Sequence, residues 1–287
     1  SVETLIVHDT KEYLKKYVES YKEELKDLFL IGMTGTNGKT TTCYLLYQAL
    51  NQSGKKCAYI GTIGFFLEEK VKDIHNTTPG ILDIYEMLLE AKKNGCTHVV
   101  MEVSSHALVQ DRVYGLDFDV AIISNITRDH LDYHKTMEDY ATAKQKLFYR
   151  VKENGFAIIP TNIEYRSYFE LEQNQNITYG EDGEYQISSI QIESDKSLFT
   201  VTHNDTIESY EIKLVGLYNI YNMMNVIIVL EKLGISDVGE LILSLKPPKG
   251  RMDIISYEEN KIIIDYAHTP DAVENILNCV KQFSQGK

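Results

Sequence analysis

One segment constrains this chain more than any other: Leu30-Ile31-Gly32-Met33-Thr34-Gly35-Thr36-Asn37-Gly38-Lys39-Thr40-Thr41-Thr42. It reads as a buried strand, a glycine-rich loop, and a helix from about Thr40 to Leu50. Phe29 to Ile31 is an apolar run that suits the end of a sheet strand. Gly35 and Gly38 permit backbone angles that other residues resist, and they let the main chain approach a ligand closely. The loop N–H groups and the positive end of the helix together make an anion seat. Lys39 supplies a charge for outer phosphates, and the Thr40 hydroxyl can reach a magnesium ion. The match to G-x-x-x-x-G-K-[ST] is incomplete, because Met33 stands where the first glycine belongs. The plainer alternative is a Gly/Thr-rich turn before an ordinary helix. Gly-Lys-Thr between a strand and a helix favours the phosphate seat.

A phosphate site on this chain is a local positive spot on a negative body. Lys plus Arg is 29 against 42 for Asp plus Glu, a formal net charge of −13. That balance argues against general nucleic-acid binding, which needs a cationic footprint. The 287 residues, 43% of them hydrophobic, suffice for one large domain or two. Cys43, Cys57, Cys96 and Cys279 are widely spaced without a C-x-x-C pair, as expected of reduced thiols in a cytoplasm. No apolar run reaches the roughly eighteen residues of a membrane span, and no signal peptide is visible. The chain opens on Ser1 and stops at Lys287, soon after a new strand–helix pattern begins, so a piece of a longer protein is the expectation.

Along the chain, Thr4 to Val7 is strand-like, and Thr10 to Leu28 carries apolar residues at helical spacing (Tyr13, Leu14, Tyr17, Val18, Tyr21, Leu25, Leu28). After the loop and its helix, Lys55 to Ile60 reads as a strand. His75-Asn76-Thr77-Thr78-Pro79-Gly80 is a polar loop before a helix, Ile81 to Asn94; cap and turn chemistry alone would account for it. Thr97 to Val103 is a buried strand ending on Glu102. A buried acid is costly unless paired or metal-bound, and ligands of open α/β sheets sit beyond the carboxyl ends of strands. Glu102 is therefore read as a metal ligand, with a structural salt bridge as the alternative. Ser104, Ser105, His106, Gln110 and Arg112 follow in a polar loop. Phe118 to Asn125 is another strand, followed by Ile126-Thr127-Arg128-Asp129-His130-Leu131-Asp132. Met137 to Val151 reads as a helix, in which spacing alone makes Lys144 a solvated lysine. Phe156 to Pro160 is a strand, and the polar stretch to His203 suggests antiparallel hairpins added to the sheet. Asn219, Asn222 and Asn225 fall on one face of an apolar helix and need partners. Pro247-Pro248-Lys249-Gly250-Arg251 is the best linker, before two short strands and a helix near Asp271.

These stretches resemble the Mur ligases, and within them the branch that adds a third amino acid to UDP-N-acetylmuramoyl-L-alanyl-D-glutamate in peptidoglycan synthesis. The similarity rests on Thr34 to Thr41, Asn76-Thr77-Thr78-Pro79, Glu102-Val103-Ser104-Ser105-His106-Ala107-Leu108, Asn125 to Asp132, Ala143-Lys144, Asn219 with Asn222, Gly250-Arg251-Met252 and Asp265 to Asp271, in family order. It implies an α/β fold: a P-loop-type central sheet flanked by helices, with a small antiparallel β addition, then the start of a Rossmann-like C-terminal domain. The implied division is 1–26 as the tail of an N-terminal domain, 27–246 as the central ATP-binding domain and 247–287 as the start of the C-terminal one. Such a chain is not expected to complete the reaction alone.

The resemblance also implies roles. Gly35, Thr36, Asn37, Gly38, Lys39, Thr40 and Thr41 would bind the ATP phosphates, and Asn219, Arg251 and Asp265 would touch the nucleotide. Thr40, Glu102, His130 and Lys144 would hold Mg2+, directly or through water, with Lys144 carboxylated to a carbamate. Lys39, Lys144 and His130 would be the catalytic set. Asn76, Thr77, Thr78, Ser104, Gln110 and Arg112 would hold the UDP-N-acetylmuramoyl dipeptide, which with a free amino acid is the implied substrate pair. A cytoplasmic monomer, without nucleic acid or membrane insertion, is implied as well. Two other readings stand beside it: a folylpolyglutamate-synthase-like amide ligase, and a non-catalytic nucleotide-binding module.

Overall fold

Near-continuous apolar runs at Phe29–Thr34, Cys57–Gly61, His98–Glu102 and Phe118–Ile123 leave no polar face along these segments. Strands of that kind are stable only when covered on both sides, as in parallel sheets. The computed structural model, which describes residues 4–172, 175–258 and 260–283, has that architecture. Its helices are α1 (Thr10–Glu19), α2 (Lys22–Leu25), α3 (Lys39–Gln52), α4 (Ile81–Lys93), α5 (Ser105–Val109), α6 (Leu131–His134), α7 (Met137–Phe148), α8 (Leu217–Lys232), α9 (Val238–Ser244) and α10 (Pro270–Phe283). Its strands are β1 (Phe29–Thr34), β2 (Cys57–Gly61), β3 (Gly64–Phe66), β4 (Lys70–Lys72), β5 (His98–Glu102), β6 (Phe118–Ile123), β7 (Val151–Pro160), β8 (Asn176–Gly180), β9 (Tyr185–Ile192), β10 (Ser197–His203), β11 (Thr206–Ile212), β12 (Asp253–Tyr257) and β13 (Asn260–Ile264).

The first eleven strands make one sheet in the order β11-β10-β9-β8-β7-β6-β1-β5-β2-β3-β4. Pairing is parallel from β2 through β5, β1, β6, β7 and β8 to β9. The β3–β4 hairpin finishes one edge and β10–β11 the other, both antiparallel. Successive side chains alternate between faces. Ile31, Val100 and Ile122 pack with Cys43 and Leu46 of α3 and Ile227 of α8, while Leu30, Val99 and Ala121 join Leu88 of α4 and Leu147 of α7. The parallel register sets the ends of β1, β5 and β6 side by side, with Met33 opposite Glu102 and Thr34 opposite Ile123. Polar residues that follow these strands therefore share one rim.

β12 and β13 form a separate two-stranded sheet, joined to the main body through Val215, Met252 and Cys279. Two expectations near the N-terminus do not hold. Thr4–Val7 has no strand partner, and the Thr10–Leu28 stripe breaks at Ser20 into two helices. Of that stripe Val18, Leu25 and Leu28 are buried, but Tyr13 and Tyr17 remain 46% exposed, although α1 packs on α4 and its Lys15 pairs with Asp111 (3.3 Å). Ser1 to Glu3 and Ser284 to Lys287 lie outside the described residues. The four cysteines are free and buried. Among the described residues no helix is long and apolar enough to cross a membrane.

Candidate active site

The glycine loop sits between β1 and α3 and is held from β6. Gly35 (φ +140°) and Gly38 (φ +87°) occupy backbone regions closed to ordinary side chains. A methyl group on Gly38 would collide with the Asn222 amide, and one on Gly35 with the Ser124 hydroxyl. Asn125 Oδ1 accepts the Asn37 N–H (2.9 Å), the Ser124 hydroxyl donates to the Asn37 carbonyl (2.6 Å), and Thr127 N–H donates to Thr36 Oγ1 (3.0 Å). The missing first glycine has a structural reason. Met33 is still a fully buried strand residue, so the loop opens only after Thr34.

Two lysines meet at one carbonyl. Lys39 Nζ donates to the Gly35 oxygen (2.8 Å) and to the Thr36 oxygen (2.9 Å). Lys144 Nζ, from α7, donates to the same Gly35 oxygen (2.8 Å). Lys144 is 1% exposed and its amine stands 4.4 Å from the centre of the Tyr140 ring, so the expectation of a solvated helix lysine is overturned. Burial, with the Lys39 charge beside it, pushes the Lys144 amine well below the usual lysine range; Asp129 opposes this. Burial also lowers Lys39, against the pull of Glu102 and Asp129.

Glu102 is wholly buried at the end of β5. Its Oε2 accepts from the Thr40 hydroxyl (2.9 Å) and the Thr62 hydroxyl (3.1 Å). Its Oε1 accepts from the Thr62 N–H (2.8 Å) and from the Tyr59 hydroxyl. Among the described residues no ion pair reaches Glu102, so the salt-bridge alternative is not realised. A buried carboxylate with neutral donors and no paired cation, beside a threonine hydroxyl, is an oxygen set suited to a hard divalent ion. Arg251 Nη2 also donates to Thr40 Oγ1 (3.3 Å), bringing a residue of the linker onto the same hydroxyl.

His130 holds a left-handed backbone (φ 52°) at the start of α6, an uncommon conformation outside glycine. Its Nε2 lies 3.3 Å from Asp129 Oδ2, and its ring stands edge-on to His106 with centroids 4.8 Å apart. Burial lowers its pKa; Asp129 opposes that shift and Lys39 adds to it. No group of three or more His, Cys, Asp or Glu side chains is poised round a metal position among the described residues. Behind His106, His134 is buried and hydrogen-bonded to Ser105 Oγ (2.9 Å); burial lowers its pKa to about 4.

The residues expected to hold a second substrate divide. Thr78 is buried; its hydroxyl donates to the Glu102 carbonyl (2.9 Å) and accepts from Ser104 N–H (2.9 Å). Arg112 donates to the Thr78 carbonyl (2.6 Å) and, through Nε (3.0 Å) and Nη2 (2.7 Å), to Gln110 Oε1. Thr77 is tied through its hydroxyl to Thr62 (3.1 Å), while Asn76 is exposed.

On the other side of the loop a cavity of about 440 Å³ opens between α8 and α10. Asn37, Gly38, Thr41, Asn222, Arg251 and Asp265 line it. Asn219 does not; its Oδ1 accepts from Asn222 Nδ2 (3.2 Å), so it braces the residue that does. Asp265 accepts the N–H groups of Met252 and Ala267 (both 2.7 Å) and fixes the turn below Arg251. Asn37 Nδ2 donates to Asp271 Oδ2 (2.9 Å), which ties the loop to α10. Sequence reasoning assigned no role to Tyr59, Thr62 or Tyr140. The one available signal was a tyrosine hydroxyl inside a buried strand.

The Mur ligase middle domain matches residues 33–230. The chain is 36% identical to a UDP-N-acetylmuramoyl-L-alanyl-D-glutamate--2,6-diaminopimelate ligase of Geobacillus thermodenitrificans and 37% identical to one of Aquifex aeolicus, with 99% and 100% of this chain aligned. It spans only 61% and 60% of those two relatives' lengths. A solved ligase of the same name superimposes with a TM-score of 0.82 at 29% identity, over 99% of this chain and 62% of the other. With its middle-domain match covering most of the sheet and the loop, the chain belongs to the Mur ligase family.

Proposed function

We propose that this chain carries the ATP-binding centre of a ligase that joins a third amino acid to UDP-N-acetylmuramoyl-L-alanyl-D-glutamate. The observation that carries the reading is the meeting of Lys39 and Lys144 on the Gly35 carbonyl, beside the Thr40–Glu102 pair. The names of the relatives give the substrate class. Residues 27–246 are the central domain in this reading, 1–26 the end of a preceding one and 247–287 the start of a following one, in a cytoplasmic enzyme.

A carboxylate is a poor electrophile, and the chemistry follows from that. The D-glutamate side-chain carboxylate attacks the ATP γ-phosphorus and ADP leaves, giving an acyl phosphate. The amino group of the incoming amino acid attacks the acyl carbon; phosphate departs, the nitrogen loses a proton and an amide remains. Anions crowd together in the first step. Lys39 turns from the loop carbonyls to the outer phosphates and offsets that charge. Thr40 and Glu102, with His130 directly or through water, would hold Mg2+, which would supply further positive charge. Burial holds the Lys144 amine well below the usual lysine range; in its neutral form it would add carbon dioxide and release a proton, and the resulting carbamate would be an oxygen ligand on the same rim. Arg112, Gln110, Thr78 and Ser104 bind the muramoyl dipeptide, with Asn76 and Thr77 at the loop edge.

The test is ATP turnover by the complete enzyme with the UDP-muramoyl dipeptide and candidate amino acids. Lys39→Ala abolishes turnover, and a variant with normal turnover refutes its role. ATP hydrolysis triggered by a folate and not by the muramoyl dipeptide overturns the substrate class. Mg-ATP binding without either substrate triggering turnover favours a binding module.

A further inference from the structure

Glu102 is held more tightly than a metal-binding carboxylate needs to be for burial alone. Its two oxygens are treated differently. Oε1 faces the Tyr59 hydroxyl and the Thr62 N–H, both supplied by β2 and the turn after it. Oε2 faces the Thr40 hydroxyl at the start of α3, with the Thr62 hydroxyl beside it. Tyr59 is itself immobilised. Tyr44, Tyr47 and Phe66 surround its ring edge-on, with centroids 6.1, 6.2 and 5.6 Å away. Gly61 completes the arrangement, since a methyl group there would collide with both the Tyr59 hydroxyl and Glu102 Oε1.

We propose that Tyr59 and Thr62 form a clamp on Glu102: the Tyr59 hydroxyl and the Thr62 N–H anchor Oε1 to β2, and the Thr62 hydroxyl steadies Oε2, so that Oε2 stays aimed at the cation position beside Thr40. Both are positioning residues that act on the cation position through Glu102. The inference rests on the assignment of a divalent cation to Thr40 and Glu102. Without the clamp the carboxylate is free to rotate, and the oxygen presented to the cation is no longer fixed. Partners of this kind typically change metal affinity about 10–100-fold when removed.

The experiment measures binding of a fluorescent ATP analogue to the full chain at increasing Mg2+, without turnover. Tyr59→Phe keeps the ring in its cage and deletes the anchoring hydroxyl. The Mg2+ concentration for half-maximal binding should rise about tenfold or more, while metal-free binding stays unchanged. Tyr47→Phe removes a hydroxyl from the same cage that bonds the Leu67 carbonyl instead (2.6 Å), and should not move it. Thr62→Val gives a second route: it removes the hydroxyl beside Oε2 and should raise the Mg2+ requirement even if Tyr59→Phe does not fold. An unchanged Mg2+ requirement in either folded clamp variant, or an equal shift in Tyr47→Phe, overturns the clamp. A wild-type chain that binds the analogue with no dependence on Mg2+ overturns the cation assignment instead.

Discussion

Replacing Lys144 with methionine should make the protein more stable and less active. An unfolded lysine titrates near 10.5, whereas burial beside Lys39 holds the folded amine well below that. Between the two values the unfolded chain binds the additional proton, so wild-type stability rises with pH across that window and is lower on its acid side. Each pH unit in the window is worth about 1.4 kcal/mol. Methionine fills similar space without a charge to desolvate. The Gly35 oxygen is not orphaned, because Lys39 still donates to it at 2.8 Å. The neutral amine's own bond to that oxygen, about 1 kcal/mol, is lost and roughly offset by apolar burial. The variant should therefore be the more stable protein at pH 7, by on the order of 1 kcal/mol for each pH unit of the window lying above pH 7, or about 2–4 °C in Tm per kcal/mol. Thermal and urea melts at intervals from pH 7 to pH 10 measure it, and the advantage of the variant must shrink as pH rises. Bicarbonate should raise the Tm of the wild type alone. A variant less stable than wild type at pH 7, or a gain independent of pH, refutes the reasoning.

Other substitutions probe the loop and its surroundings. Gly38→Ala forces a left-handed alanine, about 1–2 kcal/mol, and pushes away the Asn222 amide with loss of its bond to Asn219, about 1 kcal/mol. A lower urea midpoint and at least tenfold weaker nucleotide binding are expected, and unchanged values for both would remove the loop geometry as the cause. His134 is buried and neutral, with its folded pKa depressed to about 4 from 6.5. Stability therefore falls as pH drops from 6.5 toward 4, where the unfolded chain takes up a proton the folded one refuses. His134→Gln, which keeps a partner for Ser105, should flatten that part of the pH–stability curve in melts between pH 4 and pH 7.

Local signals and their spatial meaning separate clearly in this chain. The strand–loop–helix around Gly38 was legible because its chemistry lies within a few consecutive residues. The burial of Glu102 at the sheet rim was legible because an acid at the end of an apolar strand has few places to go. Lys144 was not, since helical spacing says which residues share a face but not what covers that face. The carbonyl it meets lies 109 residues earlier. Tyr59 was hidden for a similar reason: a tyrosine in a buried strand reads as core, and the carboxylate under its hydroxyl comes from 43 residues away. The stripe at Tyr13 and Tyr17 erred the other way, because periodicity predicts an apolar face but not how much of it a neighbour covers.

The bond from Asn37 to Asp271 joins positions 234 residues apart. During synthesis the glycine loop and its sheet leave the ribosome long before α10 exists. The nascent chain must therefore carry this anion seat with one wall absent. In the function proposed above, tight capture of a nucleotide would be a late event, after the strands that organise the loop have been made.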